Sequence, residues 1–161
     1  MNKKYELIDE TQEWNGRILH RILALADFGD VKAGELGGWI EKEENLSHND
    51  DAWVYGDAQV YGDARVYGNA WVFGDARVCG DAEIFKTSDY FTSGPIGSRN
   101  DTITFFRCKD GKIRATTGCF YGDLDQLEAA VRSKHKNNNY AQAYMGVIAA
   151  AKAQMGADQN V

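Results

Sequence analysis

The residues of this chain whose types could do chemistry are three histidines, three cysteines, a regular row of aspartates and one basic turn-like stretch. His20, His48 and His135 lie far apart, and no two share a spacing that would put them on one metal ion. No metal site is expected. Cys79, Cys108 and Cys119 form an odd set without ligand spacing, the pattern of free thiols in a reducing compartment. A thiol nucleophile needs a base within reach, and neither Cys79 nor Cys119 has a histidine near it in sequence. His48 is the histidine closest to the repeat described below, which makes it the candidate general base. It stands where that repeat puts a core residue, so a hydrogen-bonded end residue is the simpler reading. No catalytic residue and no cofactor are expected.

Two other groups point to binding. In "GPIGSRND" (Gly94 to Asp101), Ser98, Arg99 and Asn100 follow two glycines. Backbone N–H groups and a guanidinium there suit a phosphate or a nucleotide-like anion. The alternative is a tight crossover with Arg99 paired to a carboxylate. Asp57, Asp63, Asp75 and Asp81 recur after glycines. Aspartates that bond their own backbone at bends explain them more simply than calcium does. As a set they are acidic corners, a row of charge that could compete with nucleic acid for a basic protein.

The elements that must carry these residues are written in a repeat. "VYGDAQVYGDARVYGNAWVFGDARVCGDAE" runs from Val54 to Glu83 in five six-residue units, each opening on valine. Ala58-Gln59-Val60-Tyr61 alternates in the manner of a short strand with one buried face. Gly62-Asp63 then supplies a bend. Six residues is not a helical period. Strands this short, all bending alike, favour a coil over a zigzag, in which each strand pairs with one a full turn later.

The pattern aliphatic–x–Gly–Asp–Ala–x resembles the hexapeptide repeat of left-handed parallel β-helices. The resemblance implies triangular coils of three hexads, and the left hand comes from it alone. Val54 would then lie under Val72, Val60 under Val78 and Val66 under Ile84, with rungs about 4.8 Å apart. Outside, Gln59 would meet Arg77 and Arg65 would meet Glu83. One outer face would carry Trp53 over Trp71 and Tyr67 over Phe85, an apolar patch that needs covering. Trp53, Tyr67, Trp71 and Phe85 are therefore the expected interaction surface, covered by the C-terminal segment or by another subunit. Tyr61 over Cys79 would face outward elsewhere.

The fold expected is mainly β: a left-handed parallel β-helix with an N-terminal β-hairpin cap and a small C-terminal ββαα unit. Residues 1–30 hold the hairpin, turning at Asn15-Gly16. Residues 31–89 form the solenoid, its first coil irregular, and 90–100 an irregular crossover. In 101–161 a hairpin turns at Lys109 to Lys112 and two helices follow. The first is capped by Asp123 and buries Leu124, Leu127 and Val131. The second buries Tyr140, Tyr144, Val147, Ile148 and Ala151.

Charge is uneven. Residues 48–89 hold eight acids and three bases, while 101–161 hold six acids and eight bases. The acidic repeat argues against direct nucleic-acid binding. No stretch is apolar enough to span a bilayer and none reads as a signal peptide, so no membrane association and a cytoplasmic location in a bacterial host are expected.

The layout resembles small phage and prophage hexapeptide-repeat proteins, also described as polymer-forming-cytoskeletal-like. The likeness is carried by "FGDVKAGELGGWIEKEENLSH" (Phe28 to His48), the hexads, "GPIGSRND" and "TTGCFYGDLDQLEAAV" (Thr116 to Val131). It implies a non-enzymatic binding protein that blocks a host factor in counter-defence, by trapping a small anionic nucleotide-like ligand or by masking a host protein. An acidic nucleic-acid mimic is one alternative. A hexapeptide-type acyltransferase using His48 is the other. The resemblance also implies a homo-oligomer, a trimer in preference to a dimer.

Overall fold

Asparagine and glycine tolerate positive φ, and Asn15-Gly16 closes the first hairpin at φ 51° and 78°. In the computed structural model, which describes residues 3–156, the hairpin consists of β1 (Tyr5–Trp14) and β2 (Arg17–Ala24), with Trp14 facing Arg17. The protein is mainly β, in several separate sheets, with two helices. It divides into two units, one ending at Thr87 and one starting at Ser88.

In the first unit the hexads give six two-residue strands: β4 (Trp53–Val54), β5 (Gln59–Val60), β6 (Arg65–Val66), β7 (Trp71–Val72), β8 (Arg77–Val78) and β9 (Glu83–Ile84). Each of the first three pairs in parallel with the strand three hexads later. Val54 faces Val72, Val60 faces Val78 and Val66 faces Ile84. Two backbone bonds make each rung: the Trp53 N–H donates to the Ala70 carbonyl at 3.1 Å and the Tyr55 N–H to that of Val72 at 2.8 Å. The bends between strands hold Gly56, Gly62, Gly68, Gly74 and Gly80 at φ between 56° and 70°, where a side chain would be strained. The valines, Ile84 and the alanines from Ala58 to Ala82 are essentially sealed from water.

Strand β3 (Leu36–Ile40) joins hairpin to hexads. It pairs antiparallel with β2 and parallel with β5, giving one sheet in the order β1-β2-β3-β5-β8. Gly37 and Gly38 make that junction possible. A Cβ on Gly38 would lie 2.7 Å from the Ala58 carbonyl oxygen and from Val54 Cγ1.

The N-terminal chain covers more of the hexads than an end cap would. Trp53 is completely buried, with Phe28 at 5.1 Å and Tyr5 at 6.2 Å edge-on to it. The expectation that Trp53 belongs to an open face, covered by the C-terminal segment or another subunit, is therefore corrected: residues of the same unit cover it. Trp71 has the same hexad position yet is 40% exposed, because the repeat cannot encode which rung the N-terminal chain crosses. Tyr61 and Cys79 are buried as well. The Trp14 indole donates to the Tyr61 hydroxyl at 3.1 Å, and the Arg77 guanidinium stacks 3.9 Å from the Trp14 ring.

The second unit is a four-stranded antiparallel sheet, β10 (Tyr90–Ile96), β11 (Asp101–Arg107), β12 (Ile113–Thr117) and β13 (Phe120–Asp123) in that order, followed by α1 (Leu124–His135) and α2 (Asn139–Met155). The expected ββαα unit thus has two further strands, and the expected irregular crossover is mostly β10. Both missed strands are sheet edges. Proline is tolerated on an edge, and the β10–β11 register shifts between Ser93 and Ile96, around Pro95. Asp123 caps α1 as expected, accepting from the Gln126 N–H at 2.8 Å while Gln126 Oε1 accepts from the Asp123 N–H at 2.9 Å. Leu127, Val131, Ile148 and Met155 close the core over Ile103, Phe105 and Ala115. Tyr140 is exposed instead of buried. No helix among the described residues is long and apolar enough to cross a membrane.

The tight junction predicts a contrast between two glycines. Gly38→Ala should destabilise the chain by at least about 3 kcal/mol, because backbone blocks the new methyl. Gly74→Ala, with nothing within 4 Å, should lose only about 1 kcal/mol from its positive φ. Urea denaturation of both variants measures the difference.

Candidate functional site

His48 is held in place by its neighbours. Its ring stacks on Tyr5 at 4.1 Å between centroids and 9° between planes. Its Nδ1 accepts the Lys4 backbone N–H at 3.2 Å, which places the proton of the neutral ring on Nε2, 3.8 Å from Glu43 Oε1. The lone pair a general base would use is therefore occupied. Burial lowers the pKa of the ring, opposed by Glu43. The neighbouring cleft of about 420 Å³ is lined by Glu43, Glu44, Asp50, Ser47 and Arg65 among others, and three carboxylates against one guanidinium disfavour a phosphate-bearing cofactor.

Beside it, Lys4 is buried and ties a loop. Its ammonium donates to the carbonyls of Ala52 at 2.6 Å, Asp50 at 3.3 Å and Asn49 at 3.4 Å, and lies 4.7 Å from the Phe28 ring centre. Burial lowers its pKa from 10.5 to about 8, with Asp51 and Asp50 opposing. Tyr5 donates to the carbonyls of Leu46 at 2.5 Å and Glu43 at 3.0 Å, and burial raises its pKa, with Glu43 and Glu44 adding.

The acidic corners are where the repeat places them. Asp57, Asp63, Asp75 and Asp81 are exposed on the bends, and Lys42 reaches Asp63 at 3.3 Å. Of the expected surface, Phe85 is 55% exposed and Tyr67 half-buried, their rings 5.1 Å apart.

The second unit assembles a different site. In its sheet the β10–β11 turn and the β12–β13 turn fall at the same end, since β11 and β12 are neighbours running antiparallel. The first turn presents Ser98 and Arg99, the second Thr117, Gly118 and Cys119. The last turn of α1 adds Lys134 and His135, and α2 adds Tyr144. Together they line a cleft of about 160 Å³, floored by Phe120, Ala130 and Val131. The turn is held from behind, because a Cβ on Gly97 would collide with the Tyr144 hydroxyl. The Tyr144 ring stacks on His135 at 5.8 Å and 15°, and Tyr140 meets the same imidazole at 5.4 Å. Burial raises the Tyr144 pKa; the Asp101 charge adds, and Arg99 and a bond to Thr117 oppose.

Two of the three residues expected to bind an anion therefore line one cleft. The third does not: Asn100 is a turn residue at φ 52°, its N–H donating to the Gly97 carbonyl at 3.2 Å. Thr117, Lys134, His135 and Tyr144 were not foreseen. In the sequence "TTGCF" carries only the likeness to the phage proteins, and Tyr144 only its place on an apolar helix face. Cys119 and His135, distant in sequence, share the cleft, while Cys79 and Cys108 are buried.

No family model matches the chain. It is similar to the uncharacterized acetyltransferase YdcK of Escherichia coli (strain K12), 34% identical over 61 residues. That stretch is 33% of this chain and spans only 19% of YdcK.

The buried amine at Lys4 makes stability depend on pH. Its folded pKa lies below its unfolded one, so between pH 8 and 9.5 the unfolded chain holds a proton that the folded chain has released. Stability should rise with pH in that window, by roughly 2 kcal/mol relative to Lys4→Met. Tyr5 acts only above pH 10, in the opposite sense. Urea denaturation of both proteins at pH 8 and 9.5 gives the comparison, and equal slopes would mean a solvated amine.

Proposed function

We propose that this is a non-enzymatic, phage-type binding protein that sequesters a small anionic, nucleotide-like ligand of the host, as a counter-defence. One observation carries the reading: Arg99, Lys134 and His135 converge on one cleft with the hydroxyls of Ser98, Thr117 and Tyr144. Guanidinium, ammonium and hydroxyl donors around a concave surface are the chemistry of phosphate recognition. The hexads supply a stiff carrier. Their parallel register, with each strand three hexads from its partner, supports a coil of three hexads per turn, whose left hand rests on the resemblance to hexapeptide repeats, and exposed Trp71 and Phe85 support assembly into a homo-oligomer, a trimer for preference.

The similarity to YdcK favours a second reading, a hexapeptide-type acyltransferase. The bonding of His48 weighs against it, since the imidazole lone pair is spent on a backbone N–H. Masking of a basic host protein is the third reading. It draws on 17 acids against 9 bases in residues 1–87.

Thermal unfolding of the full chain with a panel of nucleotides and coenzyme A separates these. A ligand at a hundred times its Kd should add about 2.7 kcal/mol. Arg99→Ala should weaken nucleotide binding at least tenfold, about 1.4 kcal/mol, with the unliganded melting temperature unchanged. His48→Gln should leave binding intact. A shift with acyl-coenzyme A that His48→Gln abolishes would establish the enzyme reading instead.

A further inference from the structure

The cleft of the second unit also constrains which anion it can hold. Its volume, about 160 Å³, is near half the lower bound of about 300 Å³ for sites that enclose a whole drug-sized ligand. It can enclose one head group and only the nearest part of what carries it. Its fixed charges are few: Arg99 and Lys134 are cations, while Asp101 lines the same space. The carboxylate is close to the cationic wall, since Asp101 Oδ2 and Arg99 Nη1 both approach the position a Cβ would take on Gly118, at 3.5 Å and 3.9 Å. One excess positive charge offsets at most about two thirds of the −1.5 to −2 that one phosphomonoester carries at neutral pH, and the hydroxyls of Ser98, Thr117 and Tyr144 add neutral donors. A di- or triphosphate would leave further charge facing Asp101. The floor is apolar, however. Phe120 is partly buried against the core and Ala130 is exposed, so an anion alone would leave their cleft-facing surface against water. A ligand with a ring next to its phosphate fills both halves.

We propose that the cleft selects a nucleoside monophosphate, its phosphate on Arg99 and Lys134 and its ring system against Phe120 and Val131, over inorganic phosphate, nucleoside triphosphates, dinucleotides and coenzyme A. This inference rests on the anion-binding reading above and adds size and charge selection to it.

The test is calorimetry of the full chain with AMP, GMP, ATP, a cyclic dinucleotide, coenzyme A and inorganic phosphate. At least one monophosphate is expected to bind ten or more times tighter than inorganic phosphate and than ATP. Lys134→Glu, at an exposed position, should cut monophosphate binding tenfold or more with the fold unchanged by circular dichroism. Phe120→Leu should weaken the monophosphate while leaving phosphate binding as it was. Alkylation of the native protein provides an independent reading. Cys119 is exposed and the other two thiols are buried, so iodoacetamide reports on the cleft, and monophosphate should slow it where phosphate does not. Equal affinity for phosphate and monophosphate, or tighter binding of ATP, a dinucleotide or coenzyme A, overturns the selection while anion binding stands. Silence toward every anion removes both.

Discussion

Each rung of the first unit rests on two backbone hydrogen bonds that hold residues eighteen apart face to face, and a strand of two residues has no others to spare. The register is protected by side-chain parity. A slip of one place would bring Gln59, Arg65, Arg77 and Glu83 inside and turn the valines out. Glycine at every bend keeps the chain turning through the same angle. The ladder must also end somewhere without orphaned backbone, and two polar side chains do that. Asn45 is wholly buried; its Oδ1 accepts the N–H groups of Glu41 and Lys42, and its amide donates to the carbonyls of Gly62 and Ala64. Lys4 serves the carbonyls of Asn49, Asp50 and Ala52 in the same way. Buried polar groups so completely matched are structural devices; His48 differs, since its ring stacks on Tyr5 and its Nδ1 is bonded while its buried Nε2 has no hydrogen-bond partner.

What could be read in the sequence was whatever local chemistry repeats or punctuates. The hexad strands, the Asn15-Gly16 turn, the hairpin at Lys109 to Lys112 and the Asp123 cap are each carried by residues that act on their immediate neighbours. The burial of Trp53 was not legible, because it depends on Phe28 and Tyr5 crossing one rung and not the next. Strands β10 and β13 were hidden for a related reason. "TSGPI" and "FYGD" have no alternation of their own and are strands only because β11 and β12 offer them hydrogen bonds, a case of tertiary pairing overriding propensity.

The cleft was half legible. Ser98 and Arg99 stood out as donors beside glycines, and both line it. Nothing local ties them to Lys134, His135 or Tyr144, since the joining fact is topological. Four antiparallel strands in sequence order put alternate turns at one end, and the C-terminus of α1 lies against them. Asn100 looked equivalent to its neighbours in composition. It takes the positive-φ place in the turn, which points it out of the group its neighbours form.

A chain of net charge −6 is at first sight a poor host for an anion. Net charge governs solubility and long-range approach, however, and at physiological salt its influence fades over about 8 Å. A ligand inside a concave site answers to the groups lining it, and there the excess is positive. The acidic excess lies in residues 1–87, with 17 acids against 9 bases, while residues 88–161, which carry the cleft, hold 7 acids and 9 bases. On the proposed reading, holding an anion there rests on short-range contacts and slow release. The groups available for that are the Arg99 guanidinium, the Lys134 ammonium, the hydroxyls of Ser98, Thr117 and Tyr144, and an apolar floor. A site built this way would discriminate by shape and local charge and not by the net charge of the chain.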